Sequence, residues 1–139
     1  MKALFSLLAT TLLASGCSTP PPVATVPPPE SVLGTWEFTV SDKDGPRNPV
    51  IRLTETPSDT CISGDWFQAK VVSADGLKFS DPTYTYSDGR LEVLLTSGLC
   101  DAYTSFIGTV SGTQFNGAHV SYGLFGSTEH GKVVGARRP

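Results

Sequence analysis

Hydrophobic and polar residues alternate along most of the chain after Leu33. In the first such segment Trp36, Phe38 and Val40 are each followed by a polar residue, and later segments keep the same period of two. This is the period of a β-strand that buries one face, and no stretch of the region shows apolar residues at helical spacing. The pattern therefore predicts an all-β domain.

Short turn signals divide the alternating region into segments. Asp44-Gly45, Asp75-Gly76, Asp88-Gly89 and Ser111-Gly112 are pairs of residues that tolerate positive φ in tight hairpins. Taken as boundaries, they predict eight or nine strands in sequential hairpins. The predicted strands lie near residues 34–41, 49–55, 61–73 with a break, 77–80, 83–87, 90–97, 103–110, 113–122 and 130–137.

A meander of this many strands removes its two unpaired edges if it closes on itself. We therefore predict a single small up-and-down antiparallel β-barrel over residues 33–139, with a two-sheet β-sandwich as the alternative. Gly108, Gly117 and Gly135 lie inside predicted strands. Glycine weakens a strand unless strong coiling or a close backbone approach requires it, and a small barrel requires both.

Length and charge limit the classes of function. A chain of 139 residues has room for one small domain. It carries 10 Lys and Arg against 13 Asp and Glu, which argues against a surface that neutralises phosphates, so we predict no nucleic-acid partner. Asp42 and Asp44 flank a predicted turn, where aspartate is expected to form local hydrogen bonds. No cofactor is predicted, because no phosphate-binding glycine loop is present.

The amino terminus is typical of an export signal. Lys2 precedes an apolar run over residues 3–13. A run of this length is too short to cross the bilayer as a helix, which takes about 20 residues. We therefore expect the segment to direct secretion rather than to span a membrane.

The end of this run, Leu13-Ala14-Ser15-Gly16-Cys17, resembles the lipobox of bacterial lipoproteins. The resemblance implies that residues 1–16 are a signal peptide, removed after Gly16, and that Cys17 receives acyl chains, palmitate among them. Ser18 at the next position resembles lipoproteins that are delivered to the outer membrane and face the periplasm. Several acyl chains hold a protein firmly, so the membrane is an expected partner through the lipid anchor.

The chain has three cysteines, and lipidation of Cys17 leaves Cys61 and Cys100 as a pair. In the oxidising periplasm we predict a disulfide bond between them. Two reduced thiols or a metal site are the alternatives, although nothing near either residue has the spacing of zinc ligands.

Residues 17–32 are predicted to be the lipidated cysteine followed by a tether. Residues 18–31 contain six of the eleven prolines of the chain. Proline fixes φ and removes a backbone donor, so the stretch favours an extended polyproline II spacer between membrane and barrel.

Gly34-Thr35-Trp36 at the start of the first strand and Arg137 at the end of the last resemble the calycin signature, shared by lipocalins, fatty-acid-binding proteins and avidins. The resemblance implies a calycin-like barrel in which Arg137 lies across the Trp36 indole and closes one end, a structural role. Only Trp36 and Trp66 are tryptophans, so the biotin-binding residues of avidins are not matched.

Candidate catalytic and metal-binding residues are few. His119 and His130 are the two histidines of the chain. Ser127 with His130 could form a nucleophile and base, but the Gly-x-Ser-x-Gly pattern is absent, and we predict that the protein is not an enzyme. A metal site built from His119, Glu129 and His130 is weighed against one strand histidine and one loop histidine, and we predict no metal.

Several aromatic residues are candidates for binding. Tyr84 and Tyr86 lie two apart, on one face of a strand, where they could line a barrel mouth. Trp66 and Phe67 follow a predicted break, and Phe125 lies in the loop over residues 123–131, so these three are expected to be exposed anchors of recognition. For most of the aromatic residues packing in the core is the default expectation, and Trp66, Phe67 and Phe125 are the sharper candidates for binding.

Two functions from different classes are consistent with these features. The first is a non-catalytic binding module of the bacterial cell envelope, which recognises an envelope protein or a small ligand and resembles small disulfide-bonded inhibitors of proteases or lysozymes. The second is a structural or assembly lipoprotein, an accessory subunit of a larger envelope complex. A ligand-binding barrel needs a cavity of a few hundred cubic ångströms, whereas an assembly subunit needs an outer apolar patch.

Overall fold

A computed structural model describes residues 25–98 and 100–139 of the chain. The predicted signal peptide, Cys17 and residues 18–24 of the predicted tether lie outside the described residues. No helix in the described part has the length and apolar character needed to span a bilayer.

Nine β-strands and no helix make up the regular structure of the described residues, so the all-β prediction is confirmed. Most of the strands begin and end close to the predicted turns, because each turn signal is followed by a change of direction. The strands are β1 (Gly34–Asp42), β2 (Gly45–Arg47), β3 (Val50–Pro57), β4 (Phe67–Ser73), β5 (Thr83–Ser87), β6 (Arg90–Leu94), β7 (Tyr103–Ser111), β8 (Gln114–Gly123) and β9 (Gly126–Arg137).

The sheet closes into a barrel because β1 pairs with β9. Every pairing between two of these strands is antiparallel. The ladder that closes the barrel runs from Trp36 opposite Arg137 to Asp42 opposite Gly131. Eight strands form the barrel, and the short β2 is an additional strand that pairs with the end of β1, beyond the residues that pair with β3. The predicted closed barrel is therefore confirmed over the sandwich, and it is compatible with a calycin-like fold.

Two predicted strand segments are wrong. Residues 77–80 form no strand, because Asp75, Gly76 and Asp81 adopt positive φ and turn the chain out of the sheet at both ends. Ser80 makes only an isolated parallel bridge to Thr96. Residues 61–66 are also outside any strand, and β2 was missed because its three residues follow a tight turn directly.

Large aromatic side chains fill the interior of the barrel. The ring of Phe38 lies 5.5 Å from Phe106 and 5.5 Å from Phe115, centroid to centroid, and Trp36 stacks beside it at 6.2 Å. All four side chains are buried. The interior is consequently a packed core rather than a chamber for an apolar ligand.

Two glycines allow the backbones of β7 and β8 to approach each other closely. Gly108 and Gly117 are register partners on β7 and β8, and a Cβ atom on Gly108 would lie 2.5 Å from the Cα atom of Gly117. No side chain fits at that distance. The expected close backbone approach is therefore confirmed at this pair.

The N-terminal segment covers the end of the barrel at which β1 begins. The Trp36 indole donates to the carbonyl oxygen of Val32 over 2.9 Å. The Arg137 guanidinium donates to the carbonyl oxygens of Glu30 and Leu33, each over 3.2 Å. Trp36 and Arg137 are thus brought together as strand partners at this end, and the stacking of Arg137 on the indole stays a prediction.

A disulfide bond joins two connections that lie far apart in the sequence. Cys61 and Cys100 form an S–S bond of 2.04 Å, with their Cα atoms 5.6 Å apart. The bond links the connection between β3 and β4 to the connection between β6 and β7. The predicted pairing is confirmed.

Candidate functional site

A cavity of about 430 Å³ opens where β1 finishes, and we refer to it as the end cavity. It is bordered by the turn between β1 and β2, by the segment between β4 and β5, and by the facing strands β8 and β9. Two carboxylates, three cations and both histidines of the chain lie around it: Asp42, Asp44, Lys43, Arg47, Lys78, His119 and His130.

Asp42 is the buried anion of the end cavity, with a side chain only 2% exposed. The backbone N–H of Asp44 donates to its Oδ1 atom over 3.0 Å, which is the expected local hydrogen bond of the turn. The Arg47 guanidinium contacts Oδ2. Burial alone would raise the pKa of Asp42, but the hydrogen bond from Asp44 and the charge of Arg47 outweigh it and hold this pKa below its usual range.

His119 lies between this ion pair and the aromatic core. Its ring meets Phe106 edge to face at 5.6 Å, and its Nδ1 atom is 3.5 Å from Oδ2 of Asp42. Burial, and to a smaller extent the neighbouring His130, lower the pKa of His119, and Asp42 opposes that shift only in part. The neutral imidazole is therefore favoured near pH 7.

A β-bulge places His130 beside His119. His119 pairs with Gly131 and Val120 pairs with Glu129, which leaves His130 as the additional residue on β9. A bulge turns a side chain away from the regular alternation of its strand. As a result the two imidazole rings lie 5.1 Å apart, and Nε2 of His130 is 2.7 Å from Oγ of Ser121.

Glycine permits the close contact of β1 and β9 at this end. A Cβ atom on Gly131 would lie 2.0 Å from the carbonyl oxygen of Ser41 and 2.8 Å from the Cα atom of Asp42. Any other residue would push β9 away from β1. The position of Asp42 relative to the bulge therefore depends on this glycine.

No family model, curated protein or solved structure matches the chain.

The structure brings together only some of the residues that were considered for a metal site or a catalytic pair. His119 and His130 lie together, but Glu129 is exposed, and the described residues hold no group of three His, Cys, Asp or Glu side chains placed to bind a metal. Ser127 is exposed as well, and the serine that pairs with His130 is Ser121. The carboxylate of the cavity contacts His119 instead of His130, so a serine–histidine–aspartate relay is not formed through this pair.

The aromatic candidates lie away from the end cavity. Trp66 and Phe67 are buried, so the expectation that they are exposed is wrong: Trp66 folds back to donate to the carbonyl oxygen of Ser63, and Phe67 packs on Tyr84. Tyr84 is fully buried, and Tyr86 is half-buried against the same core. Both tyrosines share the inner face as predicted, but they belong to the core rather than to a mouth.

Phe125 is exposed, as predicted. It forms a two-residue turn with Leu124 at the tip of the β8–β9 hairpin, closed by the pair Gly123 and Gly126. The exposed fractions of the two side chains are 77% for Leu124 and 104% for Phe125. Two large apolar side chains at an exposed tip are a feature of interaction surfaces. We refer to these two residues as the hairpin tip.

An apolar groove of about 720 Å³ lies beside the seam between β4 and β5. That seam has only two residue pairs, and Leu77 and Phe79 of the intervening segment border the groove together with Val71 and Pro82. We refer to it as the seam groove.

Proposed function

We propose that the protein is a lipid-anchored lipoprotein of the bacterial cell envelope, at the outer membrane facing the periplasm, and that its barrel is a non-catalytic binding module. The anchor rests on the resemblance of residues 13–17 to a lipobox. The Cys61–Cys100 bond supports export, because disulfides persist in oxidising compartments.

The end cavity supports the binding role. It has the size of a small-molecule site and combines buried ionisable groups with an open mouth. The packed aromatic core leaves no comparable space for an apolar ligand inside the barrel, so the ligand we propose is small and polar. The single observation that carries this proposal is the convergence of Asp42, Arg47, His119 and His130 on that cavity.

The binding role can be tested by nuclear magnetic resonance on the full-length protein. Acetate, inorganic phosphate, glucose and ethylammonium serve as separate probes, and amide shifts are followed at Asp42, His119 and His130. At least one probe should shift these amides in a saturable way. Thr104 borders the cavity, and Thr104→Phe should abolish the shifts. Thr109→Phe, on the outer face of the same strand, should leave them unchanged. Shifts from no probe would reject the binding role.

The anchor can be tested independently of the cavity. Cys17→Ala should move the protein from the membrane fraction to the soluble fraction and prevent labelling with palmitate. Cys61→Ala is the matched control, because it removes a cysteine without touching the lipobox. If the Cys17→Ala variant were still found in the membrane fraction, lipidation at Cys17 would be rejected.

A second candidate function is a structural or assembly role in a larger envelope complex. The seam groove and the hairpin tip favour it, because each offers apolar surface on the outside of the barrel. Inhibition of an envelope protease or lysozyme is instead a form of the binding-module role, and the exposed hairpin tip is a surface that such an inhibitor could use.

A further inference from the structure

Two buried nitrogen atoms at the end cavity have no hydrogen-bond partner. They are Nδ1 of His119 and Nε of Arg47. The His119 residue is 8% exposed, and the 3.5 Å contact of Nδ1 with Asp42 is too long for a good hydrogen bond. Nε of Arg47 carries a hydrogen at every physiological pH, so it is always a donor. A buried donor without an acceptor is costly, and both residues face the same cavity.

Asp42 does not supply the missing acceptor for either nitrogen, although it lies beside both residues. Its Oδ1 atom already accepts from Asp44, and its Oδ2 atom already meets the terminal guanidinium nitrogen of Arg47. The negative charge of Asp42 is therefore balanced within the turn. Of the remaining charged residues around the cavity, Lys43 and Lys78 outnumber Asp44, so the balance is positive in a chain whose net charge is negative.

We propose that the end cavity binds a small anion, a carboxylate or a phosphate, through Arg47 and His119 with Lys43 and Lys78 at the mouth. Both ligand groups consist of acceptor oxygens only, and charge-assisted hydrogen bonds to them are the strongest that these donors can form. The inference rests on the proposed binding role of the same cavity and adds the chemical class of its ligand.

Anion binding should also take up a proton. His119 is faced by Asp42 from β1, by Arg47 from β2 and by His130 from β9, while Phe106 from β7 presents only its ring edge. Burial keeps this imidazole neutral, and an anion beside it would favour the charged form. Because protonation and anion binding then support each other, affinity should increase as the pH falls from about 7.5 to about 5.5.

The test uses the full-length protein with acetate and inorganic phosphate against glucose and ethylammonium, at constant ionic strength in chloride. Either anion should shift the amides of Arg47 and His119 with a dissociation constant at least about tenfold below those of the neutral and cationic probes. Comparing acetate with phosphate identifies the preferred anion. Affinity for that anion should increase several-fold on acidification, and His119→Gln should remove most of this increase.

Lys78→Gln should weaken anion binding several-fold without changing the fold, because Lys78 is exposed at the mouth. Lys70→Gln, which removes an exposed charge from β4, is the matched control and should leave affinity unchanged. If glucose or ethylammonium occupies the cavity and neither anion does, the anion inference is overturned while the binding role stands. If none of the four probes reaches the cavity, both are overturned.

Discussion

Nε2 of His130 lies 2.7 Å from Oγ of Ser121, and His130 is the residue of β9 that the register shift between His119 and Val120 leaves without a partner on β8. At the same point the His130 ring lies 5.1 Å from the ring of His119. The arrangement of ionisable groups at the end cavity thus depends on one irregularity of the β8–β9 ladder.

Acidification should destabilise the protein through His119. The pKa of His119 is lowered in the folded state, so below about pH 6.5 this histidine binds a proton more readily in the unfolded chain than in the folded protein. The free energy of unfolding, measured with urea in buffers free of phosphate and carboxylate, should therefore fall between about pH 7.5 and about pH 5.5. His119→Gln should flatten this fall. Equal slopes for both proteins would contradict the prediction.

The lowered pKa of Asp42 has its effect in a separate pH range. Ionised Asp42 stabilises the folded state. This stabilisation is lost as the pH falls below about 4, the ordinary pKa of aspartate, toward the lower pKa of Asp42 in the folded protein. Measurements kept above about pH 5 consequently report on His119 without interference from this carboxylate.

Gly117 should tolerate no side chain. A Cβ atom there would lie 2.3 Å from the carbonyl oxygen of Ile107, so Gly117→Ala should cost at least about 2 kcal/mol of unfolding free energy. Gly123 lies on the same strand, with open space around the corresponding position, and Gly123→Ala should cost less than about 0.5 kcal/mol. Denaturant titration of the two variants would show a difference, and similar losses would reject the close approach of β7 and β8.

The two adjacent arginines near the C-terminus should differ in importance. Arg137 satisfies two carbonyl oxygens of the N-terminal segment, so Arg137→Ala should destabilise the protein by about 1–3 kcal/mol. Arg138 pairs with Glu37 where both side chains are about half exposed, and Arg138→Ala should cost less than about 1 kcal/mol. Thermal unfolding distinguishes the two, and a larger loss for Arg138 would be inconsistent with the closure we describe.

Removal of the disulfide should weaken the fold. Cys61 and Cys100 are separated by 39 positions, and closing a loop of that length stabilises by about 4 kcal/mol in the chain-entropy model. The double variant Cys61→Ser/Cys100→Ser should lose about this much stability in the absence of reductant. The wild-type protein should show a shift in gel mobility and new reactive thiols after reduction; a protein that shows neither has no such bond.

The hairpin tip should matter for partners and not for stability. Phe125 is fully exposed, so Phe125→Ser should leave the free energy of unfolding within about 0.5 kcal/mol of wild type. A photo-crosslinking residue at position 125 should capture one envelope protein in cells if the assembly or inhibitory role is correct. The same residue at position 109, on the outer face of β7, is the control. Identical crosslinked products from positions 125 and 109 would argue against the hairpin tip as a specific contact surface.

Most of the strands could be predicted because alternation and turn residues are local signals. The pairing of Cys61 with Cys100 followed from counting cysteines. The end cavity could not be predicted, since Asp42 of β1 meets the histidines of the β8–β9 hairpin only because the barrel closes. Nothing in the sequence marks the bulge at His130. Trp66 was misplaced because an apolar residue beside a break is compatible with either exposure or a chain that folds back.

The β1 strand connects two ends of the barrel that differ in character. At its start the N-terminal segment packs beside Trp36, and at its finish Asp42 borders the end cavity, roughly 20 Å from Trp36 at the usual rise per residue. If the amino terminus is lipid-anchored as we propose, this polarity would place the opening at the end of the barrel away from the lipid surface. Solutes could then reach it by free diffusion, without passing the bilayer headgroups.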